Sequence, residues 1–504
     1  MSTTAAQRFW AISELLLELA KYLDEEVFRK IILTSRQNHI RFLADAWRQV
    51  SGIGHLLAIL HDSLAVRAVG KGKPEVMVGL YTQKKFIVNV HYQIPPLYQL
   101  KQERIKRFLM YTAVVQRLKV NSNPNRFVSW QGLDRLLPLA RLAGPGRRVV
   151  MPQVTHFSID VGPKYKKVVL APYLKLCANR WLEQVWVSPN RSRVYPRSSL
   201  TDVGDAFQTL TGAFENQQPL RWLSCYPESL VVDREGRGVL TQHFLPLSRN
   251  LTFFNTTIWF VSAPLISALS TTPLERLEIQ GSAPVPYFDV DLVNQLPLSD
   301  RAFPHLRLLL LQNVPLGFAR QLLLFQPLIQ NVAILRLEIC DVTDLEEDDD
   351  ILYLAVIQRL AAFPRLRELT FSSARLESAR PYPVSMALLQ PVIDKRLEHL
   401  RLFRICISDS IGLQRLRYPT IDNWQNLKTL TIMHQNLIPD DLMYLTGLPN
   451  LVELGGNVGR EMSTPAWSPF VQGFAHHLTF TSQFRLPSQF QPLQDIQMTE
   501  AVVR

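Results

Sequence analysis

The chain has 504 residues, 47% hydrophobic and 19% charged, enough to bury a large core in about three domains of ~150 residues or in one elongated repeat array. Such a composition excludes a single small module and a mostly disordered chain. The net charge of +12 is uneven, since residues 1–250 carry 35 Lys+Arg against 18 Asp+Glu while residues 251–504 carry 20 against 25, and a basic half attracts nucleic acid, anionic membrane or an acidic protein.

The opening residues MSTTAAQRFW lack the basic, apolar and small-residue regions of a secretory signal, so export is not expected. Three short helices are predicted next: Ile12 to Asp24, Val27 to Gln37, and His39 to Val50 with Trp47. Leu15, Leu16, Leu19 and Leu23 form one helical stripe, and Val27, Phe28, Ile31 and Ile32 form a second. Ser13 and Asp24 stand where N-caps are expected. Such a unit has a thin core, and its leftover apolar face needs a partner.

Glu14, Leu15, Leu16, Leu19, Tyr22, Leu23, Ser35, Arg36 and Trp47 follow in order and spacing the pattern of an F-box, which residues 11–50 resemble. The Leu-Pro pair that opens the family pattern falls here on Ala11-Ile12. The continuation through Trp47, Arg48, Val50, Gly52, Leu56, Leu57 and Leu60 is similar to fungal F-box proteins that carry irregular leucine-rich repeats. The resemblance implies that Ile12, Glu14, Leu15, Leu16, Leu19, Tyr22 and Leu23 dock a Skp-family adaptor. Without a partner, the same helices would serve as a cap that shields the end of a repeat array.

Residues 61–110 read as a connector, with turn signals at Gly70-Lys-Gly-Lys-Pro74 and Ile94-Pro-Pro96. Beyond it one phrase recurs, clearest as Val332-Ala-Ile-Leu335-Arg-Leu337-Glu-Ile-Cys340-Asp-Val342 and again from Leu366. Looser copies begin at Val115, Val154, Leu182, Leu220, Leu251, Leu274, Leu306, Leu397, Leu427 and Leu451, about 30 residues apart. The pattern resembles the leucine-rich-repeat family, in which each unit is a strand plus a return segment. The expected fold class is therefore α/β: a curved solenoid over residues 111–484, with parallel strands on the concave face and helices on the convex face. A three-helix F-box-like domain (1–60) precedes it, and residues 485–504 form a tail or loose cap.

In L-x-L the two apolar residues point to one side of a strand and face the core. An Asn or Cys at the ninth position, here Asn123, Asn190 and Cys340, satisfies backbone groups where the chain turns. Pro152, Pro304, Pro364 and Pro449 stand two residues ahead of the phrase and end the preceding helix. One return helix is expected from Asp350 to Ala362. The alternate strand positions face outward: Arg117 and Lys119; His156, Ser158 and Asp160; Gln184 and Trp186; Trp222, Ser224 and Tyr226; Arg276 and Glu278; Arg336 and Glu338; His399, Arg401 and Phe403. A register slip of one residue would instead bury them. Of these, Trp186, Trp222, Tyr226, Arg276, Glu278, Arg336, Glu338, Arg401 and Phe403 are the candidate substrate contacts, because large aromatics and arginines dominate interface hot spots.

No phosphate-binding glycine loop, nucleophile elbow, H-E-x-x-H or metal-spaced Cys/His group occurs in the sequence, so neither a catalytic residue nor a metal or other cofactor is expected. The four cysteines, Cys177, Cys225, Cys340 and Cys406, form no CxxC pair and suit a reducing cytoplasmic or nuclear compartment. The most apolar window, Ile258 to Leu269, is too short to span a bilayer. His476-His477 is a poor metal pair, and Glu346 to Asp350 lacks the alternating ligands of a calcium loop. The basic clusters Lys84-Lys85, Arg147-Arg148 and Lys164-Tyr-Lys-Lys167 are short enough to be ordinary surface charge, although each is a candidate for phosphate or an import receptor. The resemblance implies a substrate receptor of an SCF-type cullin ubiquitin ligase, bound to a Skp-family adaptor and through it to a cullin, and holding an unknown protein substrate. Membrane and nucleic acid are not expected partners. The other reading is a leucine-rich-repeat scaffold or binding protein outside any ligase.

Overall fold

The computed structural model describes residues 47–60, 65–68, 89–94, 96–120, 127–160, 168–188, 197–214, 219–227, 234–281, 301–340, 349–374, 382–384, 397–407, 424–437, 448–458 and 479–480, with positions 299, 389, 392 and 445. The chain divides into two compact units, Met1–Leu251 and Thr252–Arg504. Both are α/β. In the first, strands β1 (Gln49–Ser51), β2 (Arg117–Lys119), β3 (His156–Asp160), β4 (Gln184–Ser188) and β5 (Trp222–Ser224) pair in chain order, every pair parallel. In the second, β6 (Phe253–Thr257), β7 (Arg276–Gln280), β8 (Leu308–Pro315), β9 (Ile334–Cys340), β10 (Glu368–Ala374), β11 (His399–Phe403), β12 (Thr429–Leu437), β13 (Glu453–Val458) and β14 (Thr479–Phe480) do the same.

Each of the twelve phrase starts lies two residues ahead of one of the strands β2–β13. The reason is visible in burial. The opening residue of every copy, from Val115 to Leu451, is at most 4% exposed, and the fourth residue (Leu118, Phe157, Val185, Leu277, Leu335 among them) is buried as well. Strand alternation therefore places the L-x-L pair inward, as period two requires.

Backbone hydrogen bonds repeat with the same period. The carbonyl just ahead of most strands accepts two N–H groups from the next repeat. Gln116 accepts from Thr155 and His156, Thr155 from Glu183 and Gln184, and Glu183 from Arg221 and Trp222. In the second unit Thr252, Glu275, Arg307, Ala333, Arg367, Glu398 and Lys428 act alike. Pro152, Pro304, Pro364 and Pro449 all sit in turns just before the strands. At the ninth position, Cys340 Sγ donates to the Asn313 carbonyl at 3.2 Å. Asn123 and Asn190 lie outside the described residues.

The first strand is a finding that the spacing of the phrase did not give. The helix expected through Val50 gives way at Arg48, and Gln49–Ser51 pairs with Arg117–Lys119. The Arg48 carbonyl accepts from Gln116 and Arg117, both at 2.8 Å, so Arg48 occupies the second position of one more copy and Trp47 its first. Trp47 packs edge-on against Tyr111, ring centroids 4.4 Å apart. The stretch expected as a connector holds the helix Gln102–Thr112 and two strands, Ala65–Ala68 and Asn89–Gln93, which join Phe127–Gln131 in a separate three-stranded sheet.

Return helices bury apolar stripes. Val203, Ala206, Phe207, Leu210 and Phe214 are the buried residues of Leu200–Phe214, at helical spacing. Asp202, from the first turn of that helix, accepts the N–H groups of Leu170 and Ala171 at 2.7 and 3.1 Å and so caps the neighbouring helix Ala171–Cys177. The helix expected from Asp350 runs Asp349–Leu360 and buries Tyr353, Val356, Ile357 and Leu360. Its Tyr353 hydroxyl shares a 2.7 Å hydrogen bond with Ser373 Oγ of β10, which satisfies two polar groups inside the core.

Candidate functional site on the polar face of the strands

The residues between the inward pairs form the candidate interaction face, described separately in each unit. In the first unit, in-register pairing aligns Arg117 with His156 and Gln184, and Lys119 with Ser158 and Trp186. Lys119 Nζ forms an ion pair with Asp160. His156 Nδ1 and Thr155 Oγ1 lie 2.7 Å apart, and burial together with the charge of Arg117 holds the imidazole below its usual pKa while Glu183 opposes that shift. Gln184 pairs with Trp222 across β4 and β5. The rings of Trp186 and Trp222 meet at a centroid distance of 6.2 Å and an interplanar angle of 52°. Trp222 is 41% exposed, and Trp186 is half-buried. Two adjacent strands thus present a paired indole surface.

Tyr226 does not belong to that surface. The strand ends at Ser224, and Tyr226 is fully buried, its hydroxyl 3.1 Å from Ser224 Oγ and 3.4 Å from the Val187 carbonyl. Ser224 is fully buried too. Ser224 and Tyr226 are thereby corrected from expected surface positions to buried ones. Tyr226 is therefore a structural residue.

In the second unit the face begins closed. Phe253, Asn255, Thr257, Glu278, Gln280 and Leu310, all at outward positions of β6–β8, are buried. Glu278 is thereby corrected from a surface contact to a buried acid. Arg276 Nε donates to its Oε1 at 2.7 Å, a second Arg276 nitrogen binds the same oxygen, and Asn255 Nδ2 donates to Oε2. Burial pushes the Glu278 carboxyl above the usual range, against the opposing charges of Arg276 and Arg336. A short polar side chain at Asn255 and an arginine two residues ahead thus hold the carboxylate from both sides. Further along, the face opens. Arg336 is exposed and Glu338, His399, Arg401 and Phe403 are half-buried, whereas Arg276 is an exposed residue within the closed part, on β7. Arg276 also lies over the Phe253 ring, 5.1 Å from its centroid.

Of the expected substrate contacts, the first unit brings together Trp186 and Trp222, and the second holds Arg276, Arg336, Glu338, Arg401 and Phe403 on one face of β7, β9 and β11, with β8 and β10 between them. The expected adaptor residues, Ile12, Glu14, Leu15, Leu16, Leu19, Tyr22 and Leu23, lie outside the described residues. Among the described residues, no group of three His, Cys, Asp or Glu is placed to hold a metal ion, and no helix is long and apolar enough to cross a membrane. Cys177, Cys225 and Cys340 are buried, and burial pushes the Cys177 thiol far up, away from reactivity.

No protein-family model matches the chain, and no curated protein matches it either.

Proposed function

We propose that this protein is the substrate receptor of an SCF-type cullin ubiquitin ligase, with the N-terminal helices docking a Skp-family adaptor and the repeats, stacked as a curved solenoid, holding a protein substrate. The observation that carries the reading is the order and spacing of Glu14, Leu15, Leu16, Leu19, Tyr22, Leu23, Ser35, Arg36 and Trp47, followed at once by parallel-strand repeats. The mechanism is proximity. A receptor contributes no reacting group; it raises the local concentration of substrate lysines beside a charged ubiquitin-conjugating enzyme and makes a bimolecular encounter nearly intramolecular. The paired indoles of Trp186 and Trp222 and the arginines at 276, 336 and 401 supply the anchors. A cytoplasmic or nuclear location goes with this reading.

One observation favours the second reading, a leucine-rich scaffold outside any ligase. Trp47, which matches the F-box tryptophan, also fills the first position of the first repeat, so the helices before it would then be the cap of the array. Co-expression of the full chain with a Skp-family adaptor separates the two. Wild-type chain retains the adaptor at moderate salt and the Leu15→Asp, Leu19→Asp double variant does not, if the helices dock; a folded wild-type chain that retains none leaves the scaffold.

A further inference from the structure

Arg147 and Arg148, a short basic pair in the sequence, are joined in space by two cations that sequence spacing did not connect to them. Arg147 and Arg148 lie in the segment after the helix Leu137–Leu142, Lys175 lies on the helix Ala171–Cys177, and Arg180 lies in the turn leading into β4. All four line one open cleft of about 630 Å³ within the first unit. Among the described residues, no carboxylate lines the cleft; Asp134, itself largely exposed, is 3.9 Å from Lys175. The remaining wall is uncharged and largely apolar, with Leu137, Val149 and Ala213.

We propose that this cleft binds a compact small molecule carrying several phosphate groups. Its volume is in the range of small-molecule sites, about 300–1,000 Å³. Four like charges around so small a space repel one another, and a ligand with several negative charges turns that repulsion into attraction. Three of the four are arginines, whose planar fork matches phosphate oxygens. The apolar wall accepts the uncharged body of the ligand. A nucleic-acid strand fits less well. It needs an extended track with free aromatic faces for base stacking, whereas the one aromatic ring among the described lining residues, Trp181, already carries the Arg180 guanidinium at 4.7 Å. Asn179 positions the rim: it is buried in the cleft wall, and its Oδ1 accepts the Trp181 backbone N–H at 2.8 Å. The inference is independent of the ubiquitin-ligase reading.

The test is calorimetric titration of the full chain at ~0.15 M salt, where exposed charges more than about 8 Å apart are screened, with inositol hexakisphosphate, ATP and inorganic pyrophosphate as probes. The expected result is one molecule of inositol hexakisphosphate or ATP per chain, the stronger of the two telling a polyol from a nucleotide body. An Arg147→Ala, Arg180→Ala variant weakens that binding at least tenfold, whereas Lys101→Ala, Arg301→Ala, which removes the same charge from exposed positions elsewhere, leaves it within twofold. Should the first variant lose its melting transition, Arg147→Gln with Lys175→Gln replaces it. No binding of either organic probe overturns the proposal. So does equal weakening by the two pairs, which means net charge alone, or tighter binding of a single-stranded oligonucleotide than of either probe.

Discussion

Asn179 ties the entry of one repeat to that of the repeat before it: Nδ2 donates to the Val154 carbonyl at 2.9 Å and to the Cys177 carbonyl at 2.8 Å. With Oδ1 accepting from Trp181, a buried amide makes three hydrogen bonds. Asn179→Ala leaves those backbone groups unpaired, and since each unsatisfied buried group costs about 1–3 kcal/mol, a loss of about 3 kcal/mol is predicted in urea unfolding. A loss near zero would mean that water replaces the amide without penalty.

Gly281 follows β7 where the chain of β8 crowds it. A Cβ there would stand 1.8 Å from the Asn313 carbonyl oxygen, and Asn313 is itself at φ 52° beside a register shift between Leu311 and Val314. Backbone, not a flexible side chain, has to move. Gly281→Ala is predicted to destabilise by about 3 kcal/mol, at the upper end of ordinary overpacking, read as a lowered Tm; an unchanged Tm would contradict the close approach.

Tyr226 and Trp222 should separate in a mutant comparison. Tyr226→Ala empties a fully buried site and is predicted to cost about 3–5 kcal/mol, while Trp222→Ala, at a side chain 41% exposed, costs about 1 kcal/mol or less. If the two changes proved equally costly, Trp222 would be a packing residue and not part of an accessible indole pair.

Glu278 gives a pH dependence of defined sign. Its carboxyl is raised by burial in the folded chain, so the folded state binds the proton more tightly than the unfolded one. That contribution is fully present below the unfolded glutamate value, about 4.3, and is lost as pH rises through the raised folded value. The groups that face it are Arg276, Arg336 and Asn255. The stability of wild type relative to Glu278→Gln is therefore predicted to fall as pH rises from about 4. A difference that grows with pH would mean that Arg276 dominates over burial.

Much of the strand order was legible because a parallel repeat writes its core twice per strand. Leu335 and Leu337 cannot both face inward unless the strand sits where it does, and the other copies inherit that register. The first strand was missed for a physical reason. Its copy, Trp47-Arg-Gln-Val50, has an aromatic where the others have Leu or Val, is short, and stands 68 residues ahead of the next start at Val115. Periodicity also gives direction but not cover. It placed Glu278 on the face of the exposed Arg276, yet Glu278 is buried, and it gave no guide for Tyr226, which lies beyond the end of its strand; burial is a tertiary matter that no local spacing encodes. The cations at 175 and 180 carried no signal beside Arg147, because turns and helices far apart in sequence deliver them to one cleft.

The most direct measurement is the mass of the complex formed when purified full-length chain meets a Skp-family adaptor already bound to its cullin, at moderate salt. The account predicts one chain added per adaptor, with the Leu15→Asp, Leu19→Asp variant adding none. A wild-type chain that melts cooperatively yet leaves the adaptor–cullin mass unchanged would contradict it.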